Sequence, residues 1–172
     1  MKETRRLWLV RHAIAADRAD PAEDDAQRAL TPGGRKRFAR AARGLRIAGL
    51  APDLLVSSPL VRAVQTAKIL ASAYPDLPPV LLCDALAPGG STEGVLDFLK
   101  KTARWSEAVL VGHMPDLGRL LADLAGSPGG LHVEFRKGGA ALVELPDSAR
   151  KGTLRLLLSP RILRRLQPPK AR

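Results

Sequence analysis

Four short apolar runs, none of which alternates polar and apolar residues, limit most strongly what this chain can fold into. They lie at residues 7–10, 53–56, 80–82 and 108–111. Strands buried on both faces of a parallel sheet have such runs, whereas half-buried strands alternate. Because helical patterns separate the runs, the sequence predicts an α/β domain with a parallel core.

The segments between the runs have the spacing and boundary residues of helices. After Thr31, a typical N-cap, apolar residues recur at helical spacing as far as Gly49, a typical stop. Ser58 with Pro59 predicts the start of a second helix, whose apolar stripe extends to Ala71. Two further helices are predicted at 92–101 and between 115 and 126.

Two later runs, 140–145 and 153–159, are predicted to be neighbouring strands that join around 146–148 and extend the sheet antiparallel. We therefore expect a three-layer sandwich: a mostly parallel central sheet of about six strands, with one or two antiparallel strands and helices on both faces. The 172 residues need no second core, so we expect one domain over 1–166 and a basic tail at 167–172. Loops are predicted at 16–28 and 126–130.

The net charge of +11 would suit an anionic partner, and basic residues concentrate at 35–46 and 161–172. The simpler interpretation is a solvated helix face and a tail. Aromatic residues make up 3% of the chain and are not interleaved with the basic stretches as stacking platforms, so we expect no nucleic-acid partner.

The single cysteine, Cys83, cannot form an internal disulfide, which favours the cytoplasm. The apolar run 7–10 is far shorter than a signal-peptide core or a membrane span. We therefore expect no membrane association.

Polar residues follow three of the apolar runs directly: Arg11 and His12, then Ser57 and Ser58, then His113 after Gly112. Ligands of open α/β sheets bind outside the carboxyl ends of the strands, so these residues should converge. Arg62, in the first turn of the second helix, should join them. Two guanidiniums, two imidazoles and a helix N-terminus predict a site for an anion, and a phosphoryl group fits best.

The two histidines need distinct roles at such a site. One neutral imidazole can attack phosphorus while the other donates to the charged oxygens, and nearby arginines lower the pKa of the attacking group. The residues alone leave open which histidine attacks. The third histidine, His132, is predicted to lie on the surface.

Residues 9–13, Leu-Val-Arg-His-Ala, resemble the signature of the histidine phosphatase superfamily, an Arg-His-Gly triplet after the first strand, with Ala13 in place of the glycine. The resemblance is closest to the SixA-type phosphohistidine phosphatases. It extends over most of the chain, through the segments at 28–34, 57–67, 112–117 and 137–140.

This resemblance implies a phosphoglycerate mutase-like fold and a hydrolase that needs no metal or other cofactor. It implies that His12 is phosphorylated, and that Arg11, Arg62 and His113 bind the phosphoryl oxygens. Ser58 is expected to cap the helix that carries Arg62, and Arg28 to support the site or contact substrate.

Many members of this superfamily carry an acid after the third strand that protonates an alkoxide leaving group, but here Ala85 occupies that place. Asp84 is adjacent, although strand alternation should point it to the other face. Acids of the 16–28 loop, Asp17, Asp20 and Glu23, could swing in instead. A site without a general acid favours phosphoramidates such as phosphohistidine over alkyl phosphates.

Several alternatives stay open at this point. The substrate is a phosphohistidine on a protein or, as the main rival, a small phosphomonoester. From another class, the chain would be an inactive phosphate- or nucleic-acid-binding protein. A zinc site built from the three histidines and Cys83 is disfavoured, because paired-ligand spacing is absent from the sequence.

Overall fold

The fold, a six-stranded mixed sheet, was obtained as a computed structural model that describes residues 4–18, 20, 22, 24–102, 104–126, 132–146 and 150–168. The strands are β1 Thr4–Arg11, β2 Leu54–Ser57, β3 Leu81–Leu82, β4 Glu107–Gly112, β5 Ala140–Pro146 and β6 Thr153–Leu158. Their order in the sheet is β3-β2-β4-β1-β5-β6. The first four strands in this order pair parallel, whereas β5 is antiparallel to β1 and to β6. The predicted architecture is confirmed.

The helices are α1 Pro32–Ile47, α2 Val61–Ala71, α3 Thr92–Lys101, α4 Asp116–Leu124 and α5 Pro160–Leu163, with 3₁₀ turns at Asp25–Gln27 and Asp84–Leu86. As predicted, Thr31 caps α1: its hydroxyl oxygen accepts from the backbone N–H of Gly34 at 2.9 Å. Gly49 follows the end of α1 with a φ of 93°. This left-handed backbone conformation favours glycine, which explains where the helix stops.

The sheet has two buried faces because consecutive side chains of its central strands point in opposite directions. On β1, Trp8 and Val10 pack in the core formed with α1, α2 and α5. Leu7 and Leu9 pack in the opposite core, formed with α3 and α4. Helices therefore cover both faces, and the carboxyl ends of β1, β2 and β4 meet at one edge between the layers.

Two expectations about elements were wrong, and one helix was not predicted. The run at 80–82 was expected to be covered on both faces, but Leu81 and Leu82 are 39% and 54% exposed, because β3 is a two-residue edge strand that pairs only with β2. Helix α2 begins at Val61, not at Ser58, and its N-cap residue Leu60 makes no side-chain capping bond. Helix α5, which opens the basic segment from residue 161, was not predicted, and its Leu163 is fully buried.

The predicted turn at 146–148 and loop at 126–130 fall mostly outside the described residues. Within the part of the chain that the structure describes, no helix is long and apolar enough to cross a membrane.

Candidate active site

The two histidines predicted to share a site lie side by side. Arg11 at the end of β1 is in register with Gly112 at the end of the neighbouring strand β4. The residues that follow these strands, His12 and His113, are therefore neighbours. The ring centroids of His12 and His113 are 5.0 Å apart. Both residues are buried, at 6% and 3% exposure. The strand ends therefore converge as the sequence predicted.

Backbone hydrogen bonds hold the end of β1 in position. The N–H of Gly138 lies 3.1 Å from the carbonyl oxygens of both Arg11 and His12, and the N–H of Arg11 donates to Gly139 O at 3.0 Å. Gly138 has a φ of 80°, a conformation that other residues rarely adopt. The 137–140 segment thus fixes the direction in which His12 leaves the sheet.

One nitrogen of His12 is left free to react. Its Nδ1 lies 2.7 Å from the carbonyl oxygen of Ala13, which can only accept a hydrogen bond, so Nδ1 carries the proton. Burial lowers the pKa of His12 to about 3; the bond to Ala13 O opposes this, while His113, Arg62 and Arg11 add to it. The ring is therefore neutral near pH 7, with an unshared electron pair on Nε2.

The second histidine has the complementary arrangement. His113 Nε2 lies 2.8 Å from the Ser58 hydroxyl oxygen, which also accepts from Leu60 N–H at 3.3 Å. Burial and then Arg62 lower the pKa of His113 to about 4, against the opposing charges of Asp116 and Asp25. When the Ser58 hydroxyl donates to Nε2 of the neutral ring, Nδ1 carries the proton. That buried Nδ1 has no hydrogen-bond partner among the described residues.

Ser58 therefore differs from its predicted role. It does not cap α2; it contacts His113 instead, and its own N–H donates to Val111 O at 2.9 Å. The Ser-Pro pair is a frequent helix-start signal, but here α2 begins three residues after Ser58. This offset leaves the hydroxyl free to reach the imidazole.

The two predicted arginines are each anchored at one end. Arg11 Nη1 donates to Phe135 O at 2.5 Å, and burial lowers the pKa of Arg11. Arg62 donates from Nη1 to the Asp25 carbonyl at 2.6 Å and from Nη2 to the Asp25 carboxylate at 2.8 Å. In both residues Nε is buried and has no hydrogen-bond partner among the described residues. Each guanidinium therefore has an Nε–H donor that no described residue accepts from.

The sequence analysis assigned no role to Asp25, which lies in the predicted loop at 16–28. Arg28 Nε donates to its carboxylate at 2.7 Å, so Arg28 supports Arg62 through Asp25. Burial raises the pKa of Asp25, but the hydrogen bonds from Arg62 and Arg28 outweigh it and the net pKa is lowered. Asp25 is therefore a fixed carboxylate and a poor proton donor. Asp25 lies 37 residues before Arg62 in the chain, so no local sequence pattern indicated that the two side chains pair.

The remaining candidate acids that the structure describes are all exposed. Ala85 lines a cavity of about 310 Å³ beside His113, whereas Asp84 is exposed and does not line it. Asp17 and Asp20 are exposed as well. Glu23 lies outside the described residues.

The structure places the other predicted residues as follows. His132 is exposed, as predicted. Among the residues that the structure describes, no three His, Cys, Asp or Glu side chains are grouped so that they could hold a metal ion.

Fold and site together define an α/β protein with a buried pair of neutral histidines flanked by two arginines. The model of the histidine phosphatase superfamily (branch 1) matches residues 7–87. An uncharacterized protein of Picosynechococcus sp. is 43% identical over 138 residues, which cover 77% of this chain and 81% of that protein.

Solved structures agree with these matches. The protein histidine phosphatase SixA complexed with tungstate is 27% identical, with a TM-score of 0.77 over 92% of this chain and 99% of that one. A SixA-type protein from Agrobacterium tumefaciens is 26% identical, with a TM-score of 0.74 over 90% of this chain and 97% of that one. The chain belongs to the histidine phosphatase superfamily, which makes it a histidine-dependent phosphatase by class.

Proposed function

We propose that this protein hydrolyses phosphohistidine carried by another protein, through a covalent phosphoryl intermediate on His12. One observation carries the proposal: Nε of Arg11, Nε of Arg62 and Nδ1 of His113 are buried without hydrogen-bond partners among the described residues, and all three side chains lie close enough to His12 to lower its pKa. Each such donor costs about 1–3 kcal/mol when it stays unpaired. A phosphoryl group offers three oxygens that accept from them.

The chemistry divides into two displacements. Nε2 of His12 attacks the phosphorus of a phosphohistidine whose second ring nitrogen carries a proton; a new P–N bond forms, the old P–N bond breaks, and the substrate ring leaves as neutral imidazole. In the second step water attacks the phosphorylated His12, which releases orthophosphate and restores the electron pair on Nε2. Nδ1 keeps its proton and its bond to Ala13 O throughout, so the ring does not turn. No metal or other cofactor takes part.

Arg11, Arg62 and His113 stabilise the transition state in this scheme. Charge grows on the equatorial oxygens of phosphorus, where two guanidinium donors and the Nδ1–H of His113 are already oriented. Removing one oriented donor of this kind typically costs 100- to 1,000-fold in kcat. Asp25 holds Arg62 so that the guanidinium pays no ordering cost at the moment of reaction.

The preference for phosphohistidine follows from the position after the third strand, where a proton donor is expected; the carboxylates of the adjacent cavity, Glu93, Asp116 and Asp123, lie on α3 and α4 instead. Ala85 stands where a proton donor would, and the lowered pKa of Asp25 makes it a poor donor. An alkoxide needs that proton from the enzyme, whereas a phosphohistidine ring that solvent has protonated on its second nitrogen leaves as neutral imidazole. The similarity to SixA, whose tungstate is a tetrahedral oxyanion, supports the same substrate class. A single unpaired cysteine favours a cytoplasmic location for this activity.

Two peptides of one sequence test the proposal, one with phosphohistidine and one with phosphoserine at the same position, beside p-nitrophenyl phosphate. Wild type should hydrolyse the phosphohistidine peptide at least about 100-fold faster than the phosphoserine peptide, the usual contribution of a general acid. His12→Ala should hydrolyse none of the three, and His132→Ala, which removes an exposed histidine, should behave as wild type.

Equal rates on the two peptides would favour small or alkyl phosphomonoesters instead. Turnover of none of the three compounds by wild type would indicate an inactive phosphate-binding protein.

A further inference from the structure

A cavity of about 310 Å³ opens next to the phosphoryl site, between the start of α3 and helix α4. His113 belongs both to this cavity and to the phosphoryl site. Its buried Nδ1, which has no hydrogen-bond partner in the described part of the chain, is the donor that the proposed function assigns to the phosphoryl group. Whatever is attached to phosphorus therefore has this cavity beside it.

The wall of the cavity is negatively charged although the chain as a whole carries +11. Three carboxylates line it, on Glu93, Asp116 and Asp123, and among the described lining residues Arg119 has the one cationic side chain. Three negative charges and one positive charge leave a balance of two negative charges. The phosphoryl site, with Arg11 and Arg62, has the opposite sign.

The three carboxylates differ in how far they are already engaged. Asp116 forms an ion pair with Arg119 and accepts from Gly89 N–H at 3.0 Å. Asp123 accepts from the Thr92 hydroxyl at 2.5 Å through one oxygen, which leaves the other oxygen available. Glu93 has no hydrogen-bond or ion-pair partner among the described residues. Two of the carboxylates can therefore bind a cation.

We propose that this cavity binds a cationic group, an ammonium or a guanidinium, that the substrate carries beside its phosphoryl group. The proposal rests on the phosphoryl site of the proposed function. A substrate with both charges can place its phosphoryl group at the arginines and its cation at the carboxylates of the cavity. An anionic group next to phosphorus would instead be repelled by Glu93 and Asp123. Two sources have this chemistry: a lysine or arginine side chain near a phosphohistidine, or a small phosphorylated amine.

Two phosphonates of equal size test the cavity independently of turnover: 3-(aminomethyl)phenylphosphonate and 3-ethylphenylphosphonate. Calorimetric titration of wild type should give about tenfold tighter binding of the cationic compound, as two partly exposed ion pairs allow. The ratio of the two dissociation constants should fall to about twofold in Glu93→Gln/Asp123→Asn, and by a smaller factor in Glu93→Gln alone. Asp97→Asn, which removes a charge from the exposed side of α3, should keep the wild-type ratio.

Equal binding of the two phosphonates by wild type would overturn the proposal, and so would a ratio that survives in the double variant. Because the neutral phosphonate is measured with each variant, a loss of folding lowers both affinities and is recognised as such.

Phosphohistidine peptides identify the source of the cation. A higher kcat/KM for a peptide with lysine next to the phosphohistidine than for its norleucine counterpart assigns the cation to a protein substrate. A phosphonate ratio of about ten without discrimination between the peptides assigns it to a small phosphorylated amine. If no phosphohistidine peptide is hydrolysed, the proposed function fails, while the phosphonate ratio still decides the role of the cavity.

Discussion

At the scale of single residues, the site depends on two imidazoles that remain neutral because they are buried beside arginines. Their pKa values, about 3 for His12 and about 4 for His113, lie below the ordinary value of 6.5. The unfolded chain therefore binds protons that the folded chain does not as the pH falls below about 6.5. Above that pH the two histidines do not reduce the free energy of unfolding, and below it that free energy decreases as the pH falls toward 4.

We predict that lowering the pH from 7.5 to 5 removes on the order of 4 kcal/mol of folding free energy through these two groups. Denaturant unfolding at the two pH values measures the loss. The double variant His12→Asn/His113→Asn should show a smaller loss, because asparagine does not titrate. An equal loss in the variant would mean that the histidines are not held neutral.

Ser58 is expected to act through His113 and to touch no substrate. In Ser58→Ala the imidazole loses the bond to Nε2, so both tautomers become populated and kcat should fall about tenfold. Nitrogen NMR shifts of His113 should report the mixed tautomers. Ser57→Ala, at an equally buried neighbour whose hydroxyl bonds a carbonyl, should keep kcat and the shifts. Unchanged His113 shifts in Ser58→Ala would remove this role.

Arg62→Lys should lower kcat/KM by 100-fold or more, because a lysine cannot bond Asp25 twice and still present a donor to phosphorus. Hydrolysis of p-nitrophenyl phosphate measures the loss. Arg155→Lys, at an exposed ion pair with Glu144, is the matched control and should change nothing. Near-normal rates in Arg62→Lys would contradict the phosphoryl geometry.

At the scale of the elements, α1 and α5 approach so closely that only glycine fits between them. A Cβ at Gly44 would lie far inside the contact distance of Leu163 O, whereas a Cβ at Gly33 in the first turn of α1 would meet nothing within 4 Å. We predict that Gly44→Ala destabilises folding by about 1–3 kcal/mol and that Gly33→Ala stabilises it by about 0.5 kcal/mol. Denaturant midpoints compare the two, and equal effects would argue against this contact.

The element pattern was largely predictable because apolar runs report burial directly. The runs at 7–10 and 108–111 predicted the two central strands β1 and β4, which are buried on both sides. The same signal failed at 80–82, because an apolar run does not reveal how many neighbours a strand has. Helix α5 was missed because its four residues are too short for a period, and its one buried side chain lies in a basic segment.

At the scale of the whole molecule, topology explains which parts of the site could be predicted. His12 and His113 follow strands that are adjacent in the sheet, so a rule about strand ends brings them together. Asp25 could not be found this way, since its contact with Arg62 joins a loop to a helix and leaves no local pattern. The charge of the cavity was equally hidden, because its carboxylates come from two separate helices.

The covalent phosphoryl group on His12 is the most direct test. Wild-type protein should be mixed with phosphohistidine peptide, quenched in alkali, where phosphohistidine survives, and analysed by tandem mass spectrometry and phosphorus NMR. We predict a phosphoryl group on Nε2 of His12, which forms and decays at rates that account for turnover. Turnover without that intermediate, or with the phosphoryl group on His113, would contradict the assignment of His12 as the nucleophile.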